Sequence, residues 1–480
     1  MLFYEDLHTI SESHACALCH TFCICIAFMK IYHAADIHLG RTRLDGLLPD
    51  GDLAAAFLHI AQAAVDGGAD VFVLAGDLFD RPQVEPGHLR QAQEGLRILK
   101  DAGIPVVAVE GNHDKAFVHS DEPTWVGYLA QDGLLELLRP KFNPDGAVLA
   151  PWDPVTRSGS FVDHGGVRFV GAGYLGAATP AKVRQILKAL DGSMPHVLLL
   201  HAGPDYFVGE GGGFSKEDLA GMRQKVTYLA LGHIHKPMNH DGWACNPGSP
   251  ENCDIREADY SSKGGVETGR GYAVVELDPQ VNEKPTSLTI LSNPRRPVCK
   301  VDLDCSPFGT KTRDGAEALV AAAAKAIAAA NPPQGAVIDL RLKGEMNLNR
   351  IAFDHATTSE LIRVEAGVFA VAIDTSKLNL DGEGGTGAGA LDQVLPREEL
   401  ERQAIRGIVD EHGLCGLTGD PEGLSGLFFE IKEAVRVGAQ PEVIAEKISG
   451  SALVDSIQKG RASASLAQAV AATSATEEVI

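Results

Sequence analysis

Three things are missing from this 480-residue chain, and each absence narrows what it does. No stretch supplies the roughly 18 consecutive apolar residues that a membrane-crossing helix needs. The apolar stretch near residues 21–28 follows an acidic, His-rich start rather than a basic one, so it does not read as a secretory leader. A surplus of basic charge is also lacking: 42 Lys and Arg stand against 64 Asp and Glu, a formal net charge of −22. Such a chain repels nucleic acid and anionic membrane at long range, so a nucleic-acid partner requires a local positive feature such as bound metal. A disulfide framework is the third absence. Cys16, Cys19, Cys23 and Cys25 crowd together near the N-terminus, while the other five of nine cysteines are scattered. The expectation is a cytoplasmic protein with no membrane association.

What is present suffices for a large core and smaller appended domains, since 45% of the residues are hydrophobic. His14, Cys16, Cys19, His20, Cys23 and Cys25 are all competent zinc ligands, but they offer one Cys-x-x-Cys with no second pair at finger spacing. Residues 1–28 therefore read as an N-terminal extension, unstructured or an upstream misplaced start. From residue 30 short β-rich runs alternate with helical periodicity, the pattern of an α/β domain. Strands are expected at Lys30–Ala35, Val71–Ala75, Ile104–Val109, Val167–Ala172, His196–Leu200, Tyr228–Leu231 and Tyr272–Leu277. A larger α/β domain over residues 29–280 is followed by a smaller α/β unit over 281–375. Next come a Gly-rich linker over 376–395 and a helical segment with a tail over 396–480.

Five blocks carry the chemistry: Asp36-Ile37-His38, Gly76-Asp77-Leu78-Phe79-Asp80, Gly111-Asn112-His113-Asp114, His201-Ala202-Gly203 and Gly232-His233-Ile234-His235. Each follows an expected strand, and ligands of open α/β sheets gather beyond the carboxyl ends of strands. Two divalent ions need several N and O donors and one carboxylate able to bridge them. Asp77 suits the bridge, with Asp36, His38 and His235 on one ion and Asn112, His201 and His233 on the other. This mixed donor set, without cysteine, favours manganese. Metal-bound hydroxide would then attack phosphorus, with His113 protonating the leaving oxygen or stabilising equatorial charge and Asp80 or Asp114 orienting its ring. Any one block alone reads as an ordinary turn; His33, His196 and the other scattered histidines read as structural or surface groups.

At these five blocks the chain resembles the calcineurin-like metallophosphoesterase superfamily, whose Asp-x-His, Gly-Asp, Gly-Asn-His-Asp, His and Gly-His-x-His pattern it matches residue by residue. Within it, Asp36-Ile37-His38-Leu39-Gly40-Arg41 and Gly76-Asp77-Leu78-Phe79-Asp80-Arg81 look most like the SbcD nuclease subunit of the SbcCD exonuclease. The resemblance implies a two-layered β-sandwich flanked by helices, a capping α/β domain and a C-terminal helical segment that grips an SMC-like ATPase of the SbcC kind. It also implies two Mn²⁺ ions, DNA as substrate, homodimerisation through the nuclease domain, and metal-ligand roles for the seven residues above with His113 catalytic. Arg41, Arg43 and Arg81 lie near the blocks and are expected to contact DNA or to pair internally. Asn246-Pro247-Gly248-Ser249 replaces the family's Tyr-Pro-Gly-Ser, and Asp80 stands where some relatives have His. Two other readings use the same blocks: a phosphomonoesterase or cyclic-nucleotide phosphodiesterase, and a scaffold subunit with a vestigial site.

Overall fold

A computed structural model describes residues 28–42, 51–115, 124–208, 212–259, 269–306, 313–346, 355–380, 421–436, 441–449 and 451. The N-terminal cysteine cluster, Arg43 and the expected helix around residues 400–409 lie outside these. The chain divides into two compact units, residues 1–380 and 381–480.

The larger unit is built on two six-stranded sheets. In the first, strands β1 (Met29–Ala34), β2 (Val71–Ala75) and β3 (Val106–Val109) run parallel, and β4 (Glu136–Leu137) extends them. Two antiparallel strands numbered last in this domain, Gly271–Leu277 and Ser287–Ser292, add to the other edge beside β1. After the small hairpin β5 (Lys141–Asn143) and β6 (Gly146–Val148) comes the second sheet. It contains β7 (Phe161–His164), β8 (Val167–Ala172), β9 (His196–Leu200), β10 (Tyr228–Leu231), β11 (Met238–His240) and β12 (Ala244–Asn246). Its spatial order is β11-β12-β10-β9-β8-β7, with β8, β9 and β10 parallel. The Gly271–Leu277 and Ser287–Ser292 strands are β13 and β14.

Every residue of β2, β3, β9 and β10 is buried, as near-continuous apolar runs require when both faces of a strand are covered. One face of each sheet meets the other sheet, where Ile31, Val73, Val107, Phe169, Leu199 and Tyr228 interlock. The outer face of the first sheet packs on α1 (Gly51–Asp66), α2 (Pro86–Asp101) and α3 (Trp125–Gln131) through residues such as Phe57, Leu96 and Leu129. The outer face of the second is covered by α4 (Thr179–Ala189) and, after the one-turn α5 (Asp205–Val208), by α6 (Lys216–Arg223). The result is the helix-flanked β-sandwich expected from the sequence.

A three-stranded parallel sheet follows: β15 (Val298–Asp304), β16 (Val337–Met346) and β17 (Ala370–Leu380), crossed by α7 (Arg313–Ala330) and α8 (His355–Ala366). Leu319, Ala323, Ile338, Leu340 and Ile362 form its own core. Arg296 ties this sheet to the sandwich. It makes a bidentate pair with Asp52 of α1 at 2.7 Å, donates to the Gly335 carbonyl, and lies 4.0 Å over the Phe369 ring.

Three boundaries differ from the sequence-based expectation. The first sheet continues past residue 280, because β13 and β14 form a hairpin. The strand β17 consumes the start of the expected linker, since residues 377–380 still pair with β16 beyond a register shift between Arg341 and Lys343. The third parallel strand starts at Val106 because Pro105 has no N–H to donate, although its carbonyl accepts from Phe72. In the smaller unit, α9 (Pro421–Arg436) and α10 (Pro441–Ser449) are helical as the periodicity predicts.

Candidate metal centre

All five blocks leave the carboxyl ends of parallel strands, β1, β2 and β3 on one sheet and β9 and β10 on the other, and they converge at one end of the sandwich. Backbone N–H groups knit the loops together: Asp36 N donates to the Gly76 carbonyl and His38 N to the Asp77 carbonyl, both at 3.1 Å. Asp36, His38, Asp77 and His233 sit at φ values of 55, 53, 53 and 83°, a left-handed region that non-glycine residues adopt at a cost. Such strain persists only where the surroundings fix it. Two glycines make room. Gly76 has φ of 90° and a Cβ there would strike the His201 ring, while a Cβ at Gly111 would run into the Asp77 carboxylate.

The ring nitrogens are oriented alike. His201 Nδ1 donates to the Ala75 carbonyl at 2.8 Å and His235 Nδ1 to Glu257 at 2.6 Å, while His38 Nδ1 stands 3.2 Å from Asp80. Holding Nδ1 in this way leaves each Nε2 lone pair free to face inward. His38 Nε2 and His235 Nε2 approach to 3.0 Å, and His201 Nε2 lies 3.1 Å from both Asp77 and Asn112. The Asn112 side-chain oxygen is also 3.0 Å from His233 Nδ1, and Asp77 lies 3.6 Å from His38 Nε2. Nitrogen and oxygen donors crowded this closely fit divalent cations. Asp77 stands between two clusters, His38 with His235 and Asn112 with His201 and His233. Asp36 accepts from His233 N at 2.9 Å and shares a group of donor atoms within 4.8 Å with Asp77 and His201.

Charge follows from this crowding. Burial opposes ionisation of Asp77, but His201, His38 and His113 pull its carboxyl far below the usual range. Burial disfavours the His201 cation, yet Asp77 and Asp36 raise it to about 9. His235 is pushed up to about 11, with Cys253 and Glu257 hydrogen-bonded to it outweighing burial. His233 is held down at about 4 by burial and the neighbouring His201. Cations therefore have to displace protons from His201 and His235.

His113 is half exposed at the edge of the centre. Its backbone N–H donates to Asp77 at 2.9 Å and its Nδ1 to the backbone carbonyl of Asp80 at 2.8 Å. The expected orienting carboxylates do other things. Asp114 is buried and accepts backbone N–H groups from Gly111 and Phe79, so it closes the loop and leaves the His113 ring alone. Burial and the nearby Asp77 push its carboxyl up to about 7. The Asp80 carboxylate holds His38 and accepts from Arg41 at 2.9 Å, and Arg41 also donates to the Cys253 carbonyl. Arg41 is thus an internal strut; Arg81, 66% exposed at its side chain and 3.7 Å from Asp80, projects from the rim.

Sequence reasoning missed three features. Glu257 holds His235 from a short 3-10 helix, Ile255–Asp259, 22 residues away without periodicity to mark it. Cys253 reaches a donor group with His38 and His235, against the expectation of a cysteine-free centre. Exposed Tyr206 and Phe207 on α5 lie with ring centroids 4.8 Å apart, tilted by 47°, and Lys236, next to His235, lies 5.6 Å over Phe207.

Relatives include the DNA double-strand break repair protein Mre11 of Archaeoglobus fulgidus, 35% identical over 236 residues, covering 48% of this chain and 52% of that protein. The Mre11 of Aeropyrum pernix is 29% identical over 43% of this chain and 49% of its own. The chain spans about half the length of these curated relatives. A dimetal phosphatase from Danio rerio aligns over 52% of this chain and 92% of its own, at 13% identity and a TM-score of 0.31. The calcineurin-like phosphoesterase family model matches from Met29 to Pro237, ending two residues beyond His235. By that match, residues 29–237 of this chain are a calcineurin-like phosphoesterase domain.

Proposed function

We propose that the chain is a two-metal DNA nuclease that hydrolyses phosphodiester bonds as the nuclease subunit of an SbcCD-like complex. The observation that carries this reading is Asp77 standing between two clusters of inward-facing imidazole and amide donors, with His113 beside them. Asp36, His38 and His235 would hold one ion, Asn112, His201 and His233 the other, with Asp77 shared; Mn²⁺ suits this mixture of hard oxygen and borderline nitrogen donors. Two ions bound there supply positive charge at the scissile phosphate and its oxygens.

The chain's own residues complete the chemistry. With Nδ1 donating to the Asp80 carbonyl, Nε2 is the His113 atom left to pass a proton to the leaving oxygen once it has taken one up. The relatives named for DNA double-strand break repair favour DNA as substrate. Tyr206, Phe207 and Lys236 beside the centre offer a base-stacking surface and a cation, the pair of features that single strands use. Apolar Phe428, Val443 and Ile448 remain exposed on α9 and α10, which suits a segment that binds an SMC-type ATPase. Homodimerisation through the phosphoesterase domain and a cytoplasmic location complete the reading. No described helix is long and apolar enough to cross a membrane.

The test incubates purified full-length protein and Mn²⁺ with linear double-stranded DNA or an aryl phosphodiester, alongside His113→Gln. DNA cleavage lost in the variant, with metal content retained, supports the assignment. Full cleavage by the variant refutes the role of His113. Diester turnover without DNA cleavage, persisting after the candidate ATPase is added, refutes the nuclease in favour of a small-molecule phosphodiesterase.

A further inference from the structure

The turn that follows the Gly-His-x-His block brings a thiol to the rim of the centre. Cys253 is buried, and its Sγ belongs with His38 and His235 to a group whose donor atoms all lie within 4.8 Å of one another. Its placement is fixed from both sides. Cys253 N donates to Glu257 Oε2 at 2.9 Å, and the other oxygen of that carboxylate accepts from His235 Nδ1. The Cys253 carbonyl accepts from Arg41 at 3.1 Å, Arg41 is paired with Asp80, and Asp80 stands against His38. The side chains that orient the two histidines therefore orient the cysteine as well.

No other described cysteine has this setting. Cys245 lies in the core between the sheets, and Cys299 and Cys305 belong to the three-stranded sheet. Cys253 also lines a cavity of about 330 Å³ with Arg41, Asp80 and Arg81. Zinc binds thiolate at about 2.3 Å and imidazole at about 2.1 Å. Around a tetrahedral ion two such donors stand about 3.6 Å apart, inside the 4.8 Å that bounds this group.

We propose that Cys253 is a thiolate ligand of the ion held by His38 and His235 when that ion is soft or borderline, such as zinc or cadmium. The proposal rests on the metal-centre reading above and adds a donor to it. On binding, the S–H bond gives its proton to solvent and the sulfur lone pair forms the bond to the ion, with no change of oxidation state. One of the two positions thereby gains a preference for softer ions, while the Asn112, His201 and His233 position keeps only nitrogen and oxygen donors.

The experiment titrates metal-free full-length protein with Cd²⁺ and follows the near-ultraviolet thiolate-to-cadmium absorption, in parallel with Mn²⁺ and Cd²⁺ content by elemental analysis. Cys253→Ser and His235→Ala are compared with the parent. Cysteines near the N-terminus add the same absorption to all three, so the difference is what counts. The expected result is that both variants lose the signal of one thiolate, that Cys253→Ser binds Cd²⁺ at this position more than about 10-fold less tightly, and that its Mn²⁺ content is unchanged. If His235→Ala loses bound metal while Cys253→Ser keeps the full cadmium signal, the thiolate proposal falls and the centre stands. If His235→Ala binds both ions as the parent does, the proposal and the centre fall together.

Discussion

Replacing Gly111 by alanine tests whether the shared carboxylate is positioned by the loop beneath it. Gly111 does not need a left-handed backbone, so the added methyl acts through space alone. Its Cβ would meet the Asp77 carboxylate oxygen, with the carboxyl carbon and Asp77 N both at 2.5 Å, whereas ordinary contact begins near 3.4 Å. Carboxylate or loop must therefore move by at least about 0.9 Å, the difference of those two distances, because the carboxylate oxygen is nearer still. Metal ligands tolerate only about 0.2 Å, so the displacement should weaken Mn²⁺ binding by about 10- to 100-fold, as read by calorimetric titration. Overpacking should also lower unfolding stability by about 1–3 kcal/mol. The control is Gly221→Ala in α6, where a methyl meets nothing within 4 Å. That variant should gain about 0.5–1 kcal/mol from helix propensity and bind metal as before. A Gly111→Ala protein that binds two Mn²⁺ ions with parental affinity would refute the placement of Asp77.

Other perturbations probe other parts. Arg296→Ala removes the Asp52 pair, the Gly335 bond and the Phe369 contact; it should cost about 1.5–3 kcal/mol and speed hydrogen exchange in β15 to β17, and unchanged exchange would show that the strut is idle. His33 is buried between the sheets with its ring nitrogen on Tyr228, and burial lowers its pKa from 6.5 to about 3. Its contribution is fully present above about pH 6.5 and falls as pH drops towards 3, because only the unfolded chain takes up the proton, at about 1.4 kcal/mol per pH unit. Urea unfolding of metal-free protein between pH 7 and 4 should show a shallower loss in His33→Gln; parallel curves would sink this account. Tyr206→Ala with Phe207→Ala should weaken single-stranded oligonucleotide binding in anisotropy by roughly 1–3 kcal/mol for each base unstacked while aryl diester turnover persists, and equal affinity would remove these rings from the substrate path.

The sandwich was legible because the strand cores are unbroken apolar runs and the chemical blocks punctuate them. Donors such as His201 and His233 could be placed from sequence since strand ends dictate where side chains meet. Roles within one loop could not. Asp80 and Asp114 are both near His113 along the chain, and only the coordinates show that a carbonyl of one, rather than either carboxylate, takes the ring N–H. Glu257 and Cys253 were invisible for a related reason: they arrive on a turn and the five-residue 3-10 helix after it, held by buried Arg270 donating to the Glu257 carbonyl. The edge strands β11 and β12 are only three residues each, too short for alternation to stand out.

The donors come from both layers of the sandwich: Asp36, His38, Asp77 and Asn112 from the first sheet, His201, His233 and His235 from the second. Cations gripped from both sides would act as rivets between the layers, and the layers in turn would set the gauge of the grip. A slip of one sheet against the other by a single residue, about 3.3 Å, would scatter the centre while leaving each sheet intact. Val73, Val107 and Leu199, deep between the sheets and chemically inert, are therefore part of the apparatus that aligns the reactive end. Selection on catalysis would reach them through the register they keep.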